Sequence, residues 1–370
     1  AAGVGLSFDN AQVTIDGTAV IDASRDLDID SSVTYPFMAP LSSPGDFFGY
    51  IWDQFKTNPI GTLGSFTSSG WLIQQDLAST WVRAVDNDPN AKISIAGAID
   101  FSRRKSFATI DVNGGAQINQ DAGYQGSQQR VSLDAETVTH MITIGGIFDY
   151  DFGPEGLIKA ARMGPSNAFQ IYGAQGAKAG FGGAYRQLVL DNTTRAVIHG
   201  FDNTNGATSI HTGNGQSVGV RAANDGFILG LTQAGASAGK FGISGSAAYT
   251  QQTTHTVAAV ESGTSLSGGG VSIFANEDMT LPTYAGDVVK GGNLGIGVSL
   301  VFNEIDRTVQ AYFGDINGTS LVTATQLGLQ YLSINAQTEG HYFGFSLAAA
   351  KADTDNTASG GTSNSTAPVA

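Results

Sequence analysis

The stretch Leu294-Gly295-Ile296-Gly297-Val298-Ser299-Leu300-Val301-Phe302 decides the fold. Leu294, Ile296, Val298, Leu300 and Phe302 fall at alternate positions, and Gly295, Gly297 and Ser299 fall between them. A period of two puts the large apolar side chains on one face of a β-strand and the small ones on the other. Small residues on one face let a neighbouring sheet or backbone approach closely, which is the usual meaning of glycine inside a strand. Lys240-Phe241-Gly242-Ile243-Ser244-Gly245-Ser246 has the same design earlier in the chain.

Working outward, the chain repeats. Val131–Glu136, Val218–Asp225 and Val271–Asp278 each place apolar residues at alternate positions, then alanine, then a polar or acidic turn. The same units close alike: Thr193, Ala196, Val197 and Gly200 match Thr256, Ala259, Val260 and Gly263, and then Thr308, Ala311, Tyr312 and Asp315. The openings are 87 and 53 residues apart and the closings 63 and 52, a period near fifty with an insertion in the first unit. A looser copy runs from Trp71 to Gly114, closing on Ser106, Thr109, Ile110 and Gly114, and a partial one from Leu327 to Leu347. Near the N-terminus, Val13/Ile15, Val20, Leu27/Ile29 and Val33 read as strands of three to five residues between tight turns. Strands that short are stable only when stacked, each burying its inward side chains on the next.

The bulk numbers fit such a stack. The chain has 370 residues, 50 of them glycine; 41% are hydrophobic and 14% charged, enough apolar material for a core. A net charge of -14 with only 18 Lys and Arg argues against nucleic acid, whose phosphates demand clustered cations. The one basic run, Arg103-Arg104-Lys105, reads as a solvated turn. The absence of cysteine excludes disulfides, thiolate chemistry and Cys-type zinc sites. Nothing approaches the ~18 consecutive apolar residues of a membrane helix, so the expectation is a protein not integral to the membrane. The chain starts at Ala1 with no basic and apolar leader, which reads as a mature portion or fragment of something larger.

At Val271–Ala275, Gly295–Ser299 and Asp306–Asp315 the pattern resembles a known family: the giant, repetitive bacterial exoproteins of the adhesin or haemagglutinin-like type. Ala116–Asp121 is similar to that family as well, and the resemblance covers residues 71–350. It implies a right-handed parallel β-helix, or β-solenoid, secreted from a Gram-negative cell. It also implies that each unit of about fifty residues spans about two coils. It brings no catalytic residues.

Four regions follow: solenoid rungs over 1–34, an aromatic and proline-rich excursion over 35–70, solenoid over 71–350 with an insertion near 149–186, and a flexible Ser/Thr/Asn/Gly tail over 351–370. In the excursion, Asp46 N-caps a short expected helix over 47–56. Its aromatics Phe37, Phe47, Phe48, Tyr50, Trp52 and Phe55 either cover the solenoid's flank or form a partner-contact patch. Pro154 and Pro165 bracket a second short helix over 156–163.

Catalytic and metal motifs fail on inspection. Gly235-Ala236-Ser237-Ala238-Gly239 has the spelling of a nucleophile elbow without the strand and helix that such an elbow joins. Gly239-Lys240 lacks the earlier glycine and the following Ser or Thr of a phosphate loop. The histidines at 140, 199, 211, 255 and 341 have no metal-ligand spacing. Asp86–Asn90 starts like a calcium loop but lacks its glycine and distal glutamate, and reads as a turn. The expectation is therefore a structural or binding segment with no cofactor and no metal, on the bacterial surface or secreted. Its partners would be a host or neighbouring cell surface, glycan or protein, or further copies of itself. The competing reading is a polysaccharide-active enzyme, with Asp22, Asp26, Asp28 and Asp30 as its candidate carboxylates.

Overall fold

A computed structural model describes residues 1–35, 78–82, 86, 88, 90–123, 126–146, 173–315 and 330–352. Among them the protein is all-β, with eighteen strands numbered along the chain and no helix. Sheet A sets side by side β1 (Ala2–Ile15), β5 (Ile93–Val112), β9 (Ala179–Ile198), β14 (Phe241–Val260) and β17 (Leu294–Phe313). Sheet B is narrow: β2 (Val20–Ile21), β6 (Gln117–Ile118), β12 (Ser209–His211) and β15 (Ser265–Ser267). Sheet C holds β3 (Asp26–Tyr35), β7 (Arg130–Gly146), β13 (Ser217–Ala238), β16 (Gly270–Gly291) and β18 (Tyr331–Ala352). Two short strands join it, β4 (Ala78–Val82) on β7 and β8 (Ala174–Gly176) on β13. All pairings in the three sheets are parallel; β10 (Phe201–Asp202) and β11 (Gly206–Ala207) make a small antiparallel hairpin.

The chain visits A, then B, then C, and returns to A one strand further along. Val218 pairs with Val271 and Phe241 with Leu294, an offset of 53 residues in both large sheets. The expected parallel pairing of the repeats is thus present, including Val131 opposite Val218. Two expectations need correction. One unit of about fifty residues is a single pass rather than two coils, because its strands are 20 to 22 residues long instead of three to five. The closing motifs are also out by one residue: Thr193 lies opposite His255, not Thr256, and Val309 rather than Thr308 lies opposite Thr256. With a period of two, that slip reverses which residues face inward.

The two large sheets form a wedge. At the end where sheet B separates them, the space is filled by Ile110, Ile118, Leu133, Ile198, Ile210 and Ile273, all buried. At the other end the chain turns from C straight into A, and the sheets nearly touch. A Cβ on Gly242 would lie 2.6 Å from the carbonyl oxygen of Lys290, and one on Gly180 would lie 2.8 Å from that of Ser237. On the sheet A side only Gly, Ala and Ser face inward there, as at Ala96, Gly242 and Gly297, where Val289 and Asp287 of sheet C fill the seam. The small residues of these sheet A strands therefore face inward, and their large apolar residues face outward.

Between the two ends lies a polar layer. Arg186 is fully buried and donates to Thr143 Oγ1 at 2.7 Å and to Thr250 Oγ1 at 3.0 Å, with Asp100 as its in-register neighbour. Glu277, also fully buried, accepts the Thr254 hydroxyl at 2.8 Å. The run Arg103–Lys105 is not a turn but lies inside β5. Its Arg104 points inward, pairs with Asp9 at 2.8 Å and covers the Tyr35 ring at 3.5 Å. A basic run at alternate burial reads as solvated only when the face it serves is unknown.

The helices expected over 47–56 and 156–163, the aromatic excursion and the tail from residue 353 lie outside the described residues. Within the expected insertion, Ala174–Gly176 and Ala179–Arg186 belong to the regular strands β8 and β9.

Candidate contact surface

The outer face of sheet A is built by the wedge. Because the thin end has no interior for Ile or Phe, these side chains stand in rows on the outside. Ile95, Phe181, Ile243 and Ile296 are in-register neighbours on four successive strands, and all are exposed. Two steps along the strands, Gly97, Gly183 and Gly245 form a trough that ends at Val298. Beyond it come Ile99, Tyr185, Ala247 and Leu300, then Phe101, Tyr249 and Phe302. Fifteen of the twenty-two exposed large apolar side chains among the described residues lie on this one face, so they are a patch and not scatter. Strand spacing and rise make it roughly 24 by 30 Å, beyond the few hundred Å² of apolar patch usual on a monomer.

The glycine trough has a different cause from the inward glycines. A Cβ on Gly97 or Gly183 would meet nothing within 4 Å, whereas one on Gly182 would lie 2.8 Å from the carbonyl carbon of Gly235. Gly182 is small because sheet C is there. Gly97 and Gly183 are small with only open space above them, the pattern left where something outside the chain approaches a strand closely. Sheet C offers a contrast: its outward-facing Leu229, Leu231 and Tyr284 are buried within the chain.

A second cluster lies on the outer side of sheet A near sheet B. His199 Nδ1 is 2.8 Å from Glu261 Oε2, and its Nε2 is 3.2 Å from Asp111 Oδ1. Arg195 also pairs with Asp111. The hydrogen bonds to Asp111 and Glu261 hold the His199 imidazole up at about 9, so it is an imidazolium at neutral pH. Asp111 is correspondingly held low by the His199 hydrogen bond. These residues come from β5, β9 and the turn after β14, so the cluster ties three passes together. It is a pinned cation and not a poised base.

The sequence candidates for chemistry do not converge. Ser237 lies near the end of β13, on a strand with no helix after it. Asp88 accepts the Asn90 amide at 2.9 Å, which is turn chemistry, whereas Asp86 bridges to Ala174 and accepts the Ser94 hydroxyl at 2.8 Å. Asp26 and Asp28 both pair with Arg130, and Asp22 accepts the Asp121 amide at 2.9 Å. Among the described residues no three His, Asp or Glu are placed to hold a metal ion, and no helix is long and apolar enough to cross a membrane. The contact candidates Phe37, Phe47, Phe48, Tyr50, Trp52 and Phe55 lie outside the described residues.

Sequence reasoning does not single out the outer face of sheet A. The alternation at Leu294–Phe302 shows two faces but not which is inside. The signal that distinguishes them is the company of the glycines: in β5 the small residues share their face with Asp100, Ser102 and Arg104, which marks a tight, polar interior. No protein-family description, no curated protein and no solved structure matches the chain.

Proposed function

We propose that the chain is a structural and binding segment of a large secreted bacterial surface protein, a parallel β-solenoid that presents a rigid face for adhesion, cell-surface display or surface assembly. The observation that supports this most is the exposed apolar face of sheet A with its open glycine trough. A soluble scaffold gains nothing from such a patch, which exposes it to aggregation, unless a partner covers it. Parallel passes with strands in register over 20 residues keep the face rigid, because every row is fixed by the strands on both sides. A right-handed path is what the crossover rule favours for parallel strands of one sheet. The competing enzymatic reading has no observation in its favour, since two of its four carboxylates are held by Arg130.

The test is adsorption of the labelled 370-residue chain to bacterial and animal cells, compared with the variant Ile95→Ser/Phe181→Ser/Ile243→Ser/Ile296→Ser. The expected result is at least a ten-fold loss of adsorption with an unchanged melting temperature. Equal adsorption by the variant would remove the reading.

A further inference from the structure

One edge of the contact face carries a charge pattern that adhesion in general does not explain. Lys92, Lys178 and Lys240 each stand immediately before a strand of sheet A, at β5, β9 and β14. The Lys178 amide donates to the Lys92 carbonyl at 3.0 Å, and the Lys240 amide to the Lys178 carbonyl at 3.1 Å. The three lysines therefore occupy one register position on successive passes, about 4.8 Å apart. All three are exposed, and none forms an ion pair with another described residue. Like charges set directly opposite one another across strands destabilise a sheet. In a chain with 32 Asp and Glu against 18 Lys and Arg, acids were at hand to relieve them. From that edge along the outer face the order is lysines, apolar rows, aromatics, and then rows that set Arg103 and Lys105 among the acids Asp191, Glu304 and Asp306, with Lys105 paired to Asp191 at 2.6 Å.

We infer that this face docks on a lipid bilayer rich in anionic headgroups. The lysine row meets the phosphates at one border, and the apolar rows enter the boundary between headgroups and acyl chains. Phe101, Tyr249 and Phe302 sit at headgroup level along the other border. The glycine trough favours lipid over a second copy of the chain. In a face-to-face pair related by a two-fold axis along the strands, or by one across them over the trough, the central glycine row would meet its own copy. An unfilled channel would result, and its lining would lose contacts on one side. Fluid acyl chains fill such a trough. The inference rests on the contact-face reading and specifies its partner.

The experiment is flotation of the full chain with vesicles of phosphatidylcholine alone and of phosphatidylcholine with phosphatidylglycerol. Three proteins are compared: the parent, Lys92→Gln/Lys178→Gln/Lys240→Gln, and the four-serine variant of the apolar row. Near an anionic surface each lysine contributes about 1 kcal/mol, so the triple variant should bind anionic vesicles on the order of a hundred-fold more weakly. The expected result is tight, salt-sensitive binding to anionic vesicles, lost in both variants, with melting temperatures unchanged. Equal binding to both vesicle types, or binding indifferent to the lysines, would overturn the inference. So would a dimer, seen by sedimentation, that only the serine variant abolishes. So would lysine-dependent binding to an anionic polysaccharide that the serine variant retains. If vesicles fail but the serine variant still loses cell adsorption, the lipid inference falls and the contact face stands; if both fail, both fall.

Discussion

The guanidinium of Arg186 occupies the space that a side chain at Gly230 would need: a Cβ there would lie 2.5 Å from Nη1. Gly230 is glycine so that a buried cation from sheet A can reach across the wedge and rest on sheet C. Burial pulls this guanidinium down to about 10, the opposing influence being the Asp100 carboxylate.

Gly230→Ala should therefore unseat Arg186 and destabilise the protein by about 2 kcal/mol or more. Arg186→Leu alone should cost roughly 3–5 kcal/mol, because it removes the buried cation beside the Asp100 carboxylate and the donor to Thr143 and Thr250; Arg186→Leu/Asp100→Leu should recover most of that loss. Urea titration of the three variants checks the order.

Stability should fall as pH rises through the weakly acidic range. Burial pushes Glu277 up to about 7, and Asp287 and Asp225 up to about 6, above their ordinary values of 4.5 and 3.8. In the window between those values the folded chain holds more protons than the unfolded one, so raising the pH favours unfolding. Glu277 alone should account for a loss on the order of 3 kcal/mol between pH 4.5 and 7. Glu277→Gln should flatten that part of a melting temperature against pH curve.

His199 acts in a higher window with the same sign. Its pKa is raised from 6.5 to about 9, so its stabilisation is complete below pH 6.5 and lost as pH climbs through 9. His199→Gln should remove the alkaline fall in melting temperature while leaving the Glu277 window in place.

The two sets of glycines should respond oppositely. Gly97→Ala and Gly183→Ala meet no obstacle and restrict the unfolded chain, so each should stabilise by up to about 1 kcal/mol. Gly182→Ala drives a Cβ toward the backbone of Gly235 and should destabilise. Thermal melts of the three single variants separate the outward trough from the inward seam.

Much of this fold is legible in the order of the residues. The pairing of Val131 with Val218 and Val271, and of Gly242 with Gly295, follows from like residues at alternate positions. Strand length is not legible in the same way: polar residues such as Asn192, Thr194 and Glu277 lie inside the protein, where a reading by hydrophobicity ends a strand. The inside of Leu294–Phe302 is hidden for a related reason. Whether Leu or Gly faces inward depends on how closely sheet C approaches, and that distance is set by residues remote in the chain. The lysine row is invisible until register places Lys92, Lys178 and Lys240 together.

The most direct test of the account is which face of sheet A meets water, and a chain without cysteine is suited to it. Ile243→Cys and Ser244→Cys place single thiols on opposite faces of β14, one exposed and one buried against sheet C. A polar maleimide should label the Ile243→Cys protein at the rate of a free thiol. The Ser244→Cys protein should be labelled only as it unfolds. Fast labelling at 244 with protection at 243 would contradict it, because the large apolar residues would then be the core and the contact face would not exist.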